Sequence, residues 1–185
     1  MIEGKLINLR AIEMSDVDRY VVWLNDGEVT RYLQMRYPLS RLAEDDWVRK
    51  TASSPMAYGA DMSFAIETKE GRHIGSVGFH HASPEDRAAT LGIVIGDKEF
   101  WSRGYGTDTM LTLLRFGFET MNLNRIGLTV DARNQRAQAC YGKCGFVEEA
   151  RMRQARYAEG AYNDVLWMGI LRDEWGALGA GGAAP

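Results

Sequence analysis

Cysteine and histidine are scarce in this chain, which has two of the first and three of the second among 185 residues. The two cysteines, Cys140 and Cys144, have no histidine or further cysteine beside them at the spacing of a zinc site. We therefore predict no bound metal and two reduced cysteines that serve packing. A catalytic thiol is the less favoured alternative, because no adjacent base that would lower the thiol pKa is evident.

Long apolar runs and an excess of positive charge are also missing. No stretch approaches the length of a membrane span, and the N-terminus lacks the basic region and apolar core of a signal peptide. A formal net charge of -3 and a pI near 5.7 argue against a nucleic-acid partner, which would need a basic patch. The expected protein is cytoplasmic and binds neither a membrane nor a nucleic acid.

The length suits one domain, which we place at residues 1–175, followed by a flexible Gly/Ala-rich tail over 176–185 with too little apolar bulk to pack. Periodicity predicts strands near 6–9, 63–67, 73–80, 90–95, 125–130, 147–157 and 165–171. It predicts helices near 16–23 and 41–52, a core helix after residue 106, and a short helix between 134 and 145. This order indicates an α/β protein with a mixed sheet and helices on both faces.

A glycine-bearing loop, Phe100–Thr107, joins the apolar run Leu91–Ile95 to a segment whose apolar residues recur at helical spacing. The first N–H groups of a helix are unpaired and favour an anion such as pyrophosphate, and Gly104 and Gly106 would let the backbone approach it closely. The loop lacks the lysine of a P-loop, because Thr107 follows Gly106, and it lacks the third glycine of a dinucleotide fingerprint. An ordinary strand-to-helix turn is the alternative for this loop taken alone.

A second pair of candidate residues follows the predicted strand at 125–130. Asn134 can cap a short helix, and Gly145 can end it. Asn134 and Tyr141 are seven residues apart, close to two helical turns, so the amide and the phenol are predicted to point to similar faces. A bare helix cap and a half-buried aromatic are the alternatives for these two residues taken alone.

The order of these motifs resembles the GNAT superfamily of acyl-CoA-dependent N-acetyltransferases. The matching motifs are Arg103-Gly104-Tyr105-Gly106, Asn134-x-x-Ala137-x-x-x-Tyr141 and Lys143-Cys144-Gly145-Phe146. Three further stretches are similar to the branch of ribosomal-protein N-terminal acetyltransferases and spermidine acetyltransferases: Leu9–Ile12, Trp23–Asp26 and Tyr157–Asp164. The resemblance covers about residues 5–175. It implies a GNAT-like single domain with a mostly antiparallel sheet that is splayed at the acyl-CoA site.

The resemblance implies acetyl-CoA as the acyl donor, no metal, and the following cofactor-binding residues: Ile93, Val94, Ile95, Arg103, Gly104, Tyr105, Gly106, Thr107, Asn134 and Ala137. In the family, backbone N–H groups on the splayed strand hold the thioester carbonyl, here near Ile93 to Ile95. We predict Tyr141 as the catalytic acid that gives a proton to the departing thiolate. The chain departs from the family at Trp101, where Gln or Arg is usual, and near Thr90, where other members often carry a Glu base.

The base and the acceptor stay open at this stage. Candidate bases are His80, His81, Glu67 and Asp131, and a water chain is another possibility. Candidate substrate contacts are Tyr32, His80 and Tyr157. The favoured acceptor is a protein or peptide N-terminal α-amine, and a small amine such as a polyamine, aminoglycoside or amino sugar is the alternative. A non-catalytic acetyl-CoA-binding module is the second alternative, and the resemblance to this branch implies a homodimer.

Overall fold

A mixed β-sheet organises the protein, and the computed structural model describes residues 1–53 and 60–179. Within these ranges the eight strands are β1 (Ile2–Glu3), β2 (Ile7–Arg10), β3 (Met62–Thr68), β4 (His73–Ser83), β5 (Ala88–Ile95), β6 (Arg125–Asp131), β7 (Val147–Ala158) and β8 (Ala161–Leu171). Their spatial order is β1-β2-β3-β4-β5-β6-β8-β7. In the described ranges every neighbouring pair is antiparallel except β5 and β6, which run parallel. The predicted α/β class and mostly antiparallel sheet are confirmed.

Helices cover both faces of this sheet. In chain order they are α1 (Val17–Leu24), α2 (Gly27–Thr30), α3 (Arg41–Ser53), α4 (Tyr105–Arg115), α5 (Gln135–Lys143) and α6 (Arg172–Ala177). Alternation along β3 separates two cores: Phe64 and Ile66 pack with α4 residues on one face, whereas Ala65 packs with α1 and α3 residues on the other. No helix in the described residues is long and apolar enough to span a bilayer.

The divergence of β5 and β6 positions the site. Their parallel pairing covers only Ala88 to Thr90 on β5 and Arg125 to Gly127 on β6. Residues 91–95 keep β4 as a partner but have no described strand beside them on the β6 side. Backbone groups on that side therefore open into a gap, and the predicted splay of the sheet is confirmed.

The first turn of α4 is fixed at this gap by a glycine and an aspartate. Gly104 precedes α4 with a φ of 87°, in the left-handed region that favours glycine. The Asp108 carboxylate accepts the backbone N–H groups of Lys5, Leu6 and Ile7 at 2.7–3.1 Å. The connection between β1 and β2 therefore holds the start of α4 in place.

The end of the described chain packs further than the sequence indicates. Gly176 and Ala177 belong to α6, so the helix extends into the first two residues of the predicted tail. A Cβ on Gly145 would meet the Leu178 side chain at 2.5 Å, which shows that residue 178 lies against the end of α5. Residues 180–185 lie outside the described ranges, and the flexible tail stays a prediction for them.

Candidate active site

A cavity of about 840 Å³ lies where β5 and β6 diverge. This volume falls within the range of about 300–1,000 Å³ that is usual for ligand pockets. Its walls come from strands β4 to β8, helix α2 and the segment after it, the loop before α4, the first turn of α4 and helix α5. The sequence-predicted residues that line it are Tyr32, His80, His81, Ile93, Val94, Ile95, Gly104, Gly106, Thr107, Asp131, Asn134, Ala137 and Tyr141.

The structure does not bring three of the predicted side chains into this cavity. Arg103 is exposed in the loop, and the Tyr105 ring packs edge-on against Phe100 with 4.9 Å between ring centres. Tyr157, which is 49% exposed, packs against Tyr162 at 5.0 Å instead. These three side chains contact solvent or aromatic neighbours in the structure, and their ligand contacts stay predictions.

The first turn of α4 forms an anion cradle at the cavity edge. Gly104, Gly106 and Thr107 all line the cavity. A Cβ on Gly106 would have a single neighbour within 4 Å among the described residues, the Cys140 Sγ at 3.8 Å, so the space beside this glycine is open. Unpaired N–H groups and the positive end of the helix dipole favour phosphate at this position. These features fit the pyrophosphate of acetyl-CoA.

An arginine that sequence reasoning missed stacks beside this cradle. The Arg136 guanidinium carbon lies 3.9 Å from the centre of the Trp101 ring, a cation–π contact. Trp101 is held in turn by an Nε1–H bond of 2.7 Å to the Ile95 carbonyl. Arg136 and Lys143, both on α5, line the cavity and supply positive charge for a phosphorylated ligand. The sequence feature that could have pointed to this arginine is Trp101, which occupies a position where the family usually has Gln or Arg.

Helix α5 carries the predicted polar pair. The Asn134 Oδ1 accepts the backbone N–H of Ala137 at 3.1 Å, so the predicted cap is present. Gly145, with a φ of 91°, follows the other end of the helix. Asn134 and Tyr141 both line the cavity, as their spacing predicts.

Tyr141 is half-buried at the cavity wall and lies 6.1 Å from Phe146 between ring centres. Burial raises the pKa of the Tyr141 phenol, and the nearby Cys140 and Cys144 raise it further. The phenol therefore keeps its proton at neutral pH. A protonated hydroxyl at this wall can serve as a hydrogen-bond donor or a general acid.

The two cysteines meet at Thr107. The Cys140 Sγ lies 3.4 Å from the Thr107 Oγ1, and the buried Cys144 Sγ lies 3.9 Å from the Thr107 carbonyl oxygen. Contact with Cys144 lowers the pKa of the Cys140 thiol, although burial opposes this. Both cysteines are free and pack in the core, as predicted, and Cys140 also lines the cavity. No group of His, Cys, Asp and Glu side chains within residues 1–53 and 60–179 is placed to hold a metal.

Helix α2 and the segment after it form one wall of the cavity. Its lining residues are Glu28, Val29, Tyr32, Leu33 and Gln34. Arg156, which is 8% exposed, donates to the carbonyl oxygens of residues 31, 32 and 33 and lies 3.4 Å from Asp131. Burial lowers the pKa of the Arg156 guanidinium, and Asp131 opposes that effect. One buried cation therefore holds this wall to the sheet.

Structural ion pairs occupy two of the four candidate bases. Glu67 accepts from the Arg10 Nε at 2.8 Å and does not line the cavity. Asp131 has a fully buried side chain that contacts Arg133 and Arg156. His80 and His81 line the cavity, and the His80 Nδ1 lies 3.4 Å from a carboxylate oxygen of Asp61.

Residues 7–147 match the family described as "Acetyltransferase (GNAT) domain". A spermidine N(1)-acetyltransferase of Vibrio cholerae is 27% identical over 169 residues, which cover 91% of this chain and 95% of that protein. A Bacillus subtilis protein provisionally named a ribosomal N-acetyltransferase is 29% identical over 106 residues, which cover 57% of each chain. These relatives differ in the acceptor that their names give.

A solved structure gives similarity over nearly the whole fold. The spermidine N-acetyltransferase of Vibrio cholerae in complex with CoA and spermine has a TM-score of 0.84 and 26% sequence identity. The match covers 93% of this chain and 99% of that one. It therefore extends beyond the family match, over most of the strands and helices that build the cavity.

Proposed function

Because the chain belongs to the acetyltransferase (GNAT) family, we propose that it acetylates a small primary amine, with a polyamine as the acceptor class. The protein is an acyl-CoA-dependent N-acetyltransferase, and acetyl-CoA is its acyl donor. The sequence alone favoured a protein N-terminal α-amine. The small-amine alternative now takes its place, supported by the spermidine acetyltransferases among the similar proteins.

The wall formed by residues 28–34 is the observation on this chain that carries the proposal. It bounds the acceptor side of the cavity and is tied to the sheet by Arg156. The cavity of about 840 Å³ also has to receive the acetyl end of acetyl-CoA, which leaves only part of it for the acceptor. A protein N-terminus enters as an extended chain and would need an open groove at this wall.

Charge on the acceptor side gives the proposal secondary support. Glu28 lines the cavity. The Lys98 Nζ lies 2.9 Å from the Glu28 carboxylate and 2.8 Å from the Asp26 carboxylate. Asp61 lies beside His80 at the end of β4. Carboxylates at these two places can attract the second charged group of a polyamine. Exposed ion pairs are weak, so we expect this charge to select the acceptor class more than to give high affinity.

Transfer occurs by direct attack. The neutral amine nitrogen bonds to the thioester carbonyl carbon, the C–S bond breaks, and the CoA thiolate leaves. Backbone groups of residues 91–95 have no described strand partner on the β6 side, so an N–H there can stabilise the oxyanion. Tyr141 gives its proton to the thiolate, whose conjugate acid is expected to have a pKa of about 8.5, and the proton that the attacking nitrogen loses restores the phenol.

The acceptor must also lose a proton before it attacks. An α-amine with a pKa of about 8 is about one tenth neutral at pH 7, whereas an alkylamine near 10.4 is neutral in only about four molecules in ten thousand. A polyamine acceptor therefore places a stronger demand on a base than a peptide N-terminus does.

Release of the CoA thiol against an acceptor panel tests the proposal. The panel contains spermidine, an aminoglycoside, a nucleotide-linked amino sugar, a peptide with a free N-terminus and the same peptide with that terminus blocked. We expect the highest kcat/KM with spermidine. Preference for the free peptide would overturn the acceptor class, and acetyl-CoA binding without any turnover would favour a binding module. The homodimer stays a prediction, which sedimentation of the purified protein tests.

A further inference from the structure

An imidazole and a carboxylate meet at the end of β4, where His80 lines the cavity. The His80 Nδ1 lies 3.4 Å from the Asp61 Oδ2. On the other side of the ring, the His80 Nε2 lies 3.3 Å from the position that a Cβ on Gly92 would occupy. One ring nitrogen therefore faces the carboxylate, and the other faces the part of β5 that lines the cavity.

His80 lies on β4, and its side chain shares a face of the sheet with a part of β5 that has no titratable side chain. His80 is the cross-strand partner of Thr90, and directly opposed residues of an antiparallel pair share a face. Thr90, Gly92 and Val94 follow one another on that face because side chains alternate along a strand. The His80 ring, which belongs to β4, therefore lies beside the part of β5 that faces the gap.

An irregularity in β4 fixes this arrangement. The register with β5 shifts between His80 and Ser83, and His81 has a φ of 51°. This turn of the backbone lets the His81 N–H donate to the Asp61 Oδ1 at 3.0 Å. The Thr90 hydroxyl donates to the His80 carbonyl oxygen at 2.9 Å. Asp61 and the backbone of His80 are therefore both held by neighbours.

Asp61 has the charge that a positioning group needs. Burial alone would raise the pKa of the Asp61 carboxyl, but the His81 N–H and the contact with His80 lower it below its ordinary value. An ionised Asp61 favours a proton on the His80 Nδ1, which leaves a lone pair on Nε2. The other charged side chains that line the cavity are Glu28, Asp131, Arg136, Lys143 and Arg156.

We propose that His80 is the general base of the acetyl transfer and that Asp61 is the residue that positions it. The His80 Nε2 takes a proton from the acceptor ammonium, and the freed nitrogen lone pair attacks the thioester carbon. Asp61 stabilises the imidazolium that results, as a carboxylate behind a catalytic histidine does. The C–S bond then breaks and Tyr141 protonates the thiolate. The second proton of the attacking nitrogen is lost as the amide forms and restores the Tyr141 phenol, and the proton on His80 passes to solvent. This inference rests on the proposed function, because a strongly basic amine is the acceptor that most needs a base.

The pH dependence of the rate ratio between wild type and His80→Gln tests the base. At pH 7 we expect kcat/KM for spermidine to fall by about 10²–10⁴-fold in the variant, the usual contribution of a general base. Toward pH 10 the acceptor becomes neutral without help, so the ratio should shrink by at least about tenfold. The affinity for acetyl-CoA and the thermal midpoint should stay close to the wild-type values.

Asp61→Asn is the matching test of the positioning residue. It should give a smaller loss of about tenfold at pH 7, with the same decline of the ratio toward high pH. Asp86→Asn is the control, because Asp86 is exposed in the connection between β4 and β5 and its carboxylate contacts Ser83 outside the cavity. The control should match the wild-type protein at every pH.

Two results would overturn the assignment: full activity of His80→Gln at pH 7, or a loss that stays constant from pH 7 to pH 10. A constant loss would indicate a structural role for the ring. A wrong acceptor class gives a different result from a wrong base: the wild-type protein would then turn over the free peptide and not spermidine. In that case the same ratio, measured with the peptide from pH 6 to pH 9, tests His80.

Discussion

The guanidinium of Arg156 donates to the carbonyl oxygen of Tyr32 at 2.7 Å, although 124 positions separate the two residues in the chain. The same group also donates to the carbonyls of Arg31 and Leu33. It is buried beside Asp131, which balances its charge. The geometry of the cavity wall formed by residues 28–34 therefore depends on one side chain of β7.

Arg156→Lys should loosen this wall. A lysine ammonium is a point charge on a flexible stem, so it cannot hold three carbonyl oxygens in the way that the planar guanidinium does. We expect KM for the acceptor to rise by about tenfold, equivalent to about 1.4 kcal/mol, with KM for acetyl-CoA unchanged. Arg153→Lys, at an exposed position of the same strand, is the matched control. An equal change in both KM values would mean that Arg156 supports the fold in general.

Tyr141→Phe should lower kcat by about 10²–10⁴-fold, the usual contribution of a general acid. The affinity for acetyl-CoA should change little, because the ring that lines the cavity is retained. Tyr162→Phe removes an exposed hydroxyl outside the cavity and should leave kcat as it is. Steady-state kinetics together with titration of acetyl-CoA separate the two effects. Unchanged turnover in Tyr141→Phe would remove this residue from the mechanism.

Cys140 should react with a maleimide faster than Cys144 does, since Cys140 lines the cavity and Cys144 is fully buried. Its lowered thiol pKa increases the thiolate fraction, so the reaction should accelerate as the pH rises through that pKa. Saturating acetyl-CoA should slow the labelling by at least about tenfold by covering the cradle at Thr107. Mass spectrometry of the labelled protein measures this, with Cys140→Ser as the control. Labelling that is insensitive to acetyl-CoA would contradict the placement of the cofactor.

Asp16→Asn should destabilise the fold by about 1.5–3 kcal/mol, because it removes the charge of a buried carboxylate that accepts hydrogen bonds from Arg10. The Asp16 side chain is 4% exposed, contacts Arg10 at 2.7 Å and lies 3.1 Å from the His73 Nδ1. Urea unfolding at pH 7 measures the change. Asp18→Asn, whose exposed side chain pairs with Arg41, should have little effect. Similar losses in the two variants would mean that burial is not the cause.

The contribution of Asp16 should also disappear in acid. Burial alone would raise the pKa of the Asp16 carboxyl, but Arg10, His73 and the Glu13 backbone lower it strongly. A lowered folded-state pKa gives stability that is fully present above the unfolded value of about 3.9 and is lost as the pH falls below it. The difference in urea midpoint between wild type and Asp16→Asn should therefore narrow below about pH 4. A difference that stays constant to pH 2 would contradict this assignment.

Local signals in the sequence predicted the order of strands and helices, the cradle and the pair Asn134 and Tyr141. These features depend on periodicity, on helix ends and on spacing within one segment, all of which the sequence contains. Helix α2 escaped prediction because its four residues are too few to show a period.

Contacts between distant segments could not be predicted in this way. Arg156 meets the 31–33 backbone and Asp61 meets His80 only after the sheet has formed. Strand β7 shows why a strand pattern alone is not enough: its register shifts between Met152 and Arg156, and Gln154 has a φ of 53°. Simple alternation therefore does not fix which side chain turns inward, and here Arg156 is buried while Tyr157 is exposed.

A competition assay shows which acceptor the protein prefers. Equal concentrations of spermidine and a short peptide with a free N-terminus are incubated with limiting acetyl-CoA at pH 7.5, and mass spectrometry measures how the acetyl groups divide between them. This division reports the ratio of the two kcat/KM values. Our account predicts that acetylspermidine is the main product. Acetyl groups that accumulate on the peptide N-terminus instead would contradict it.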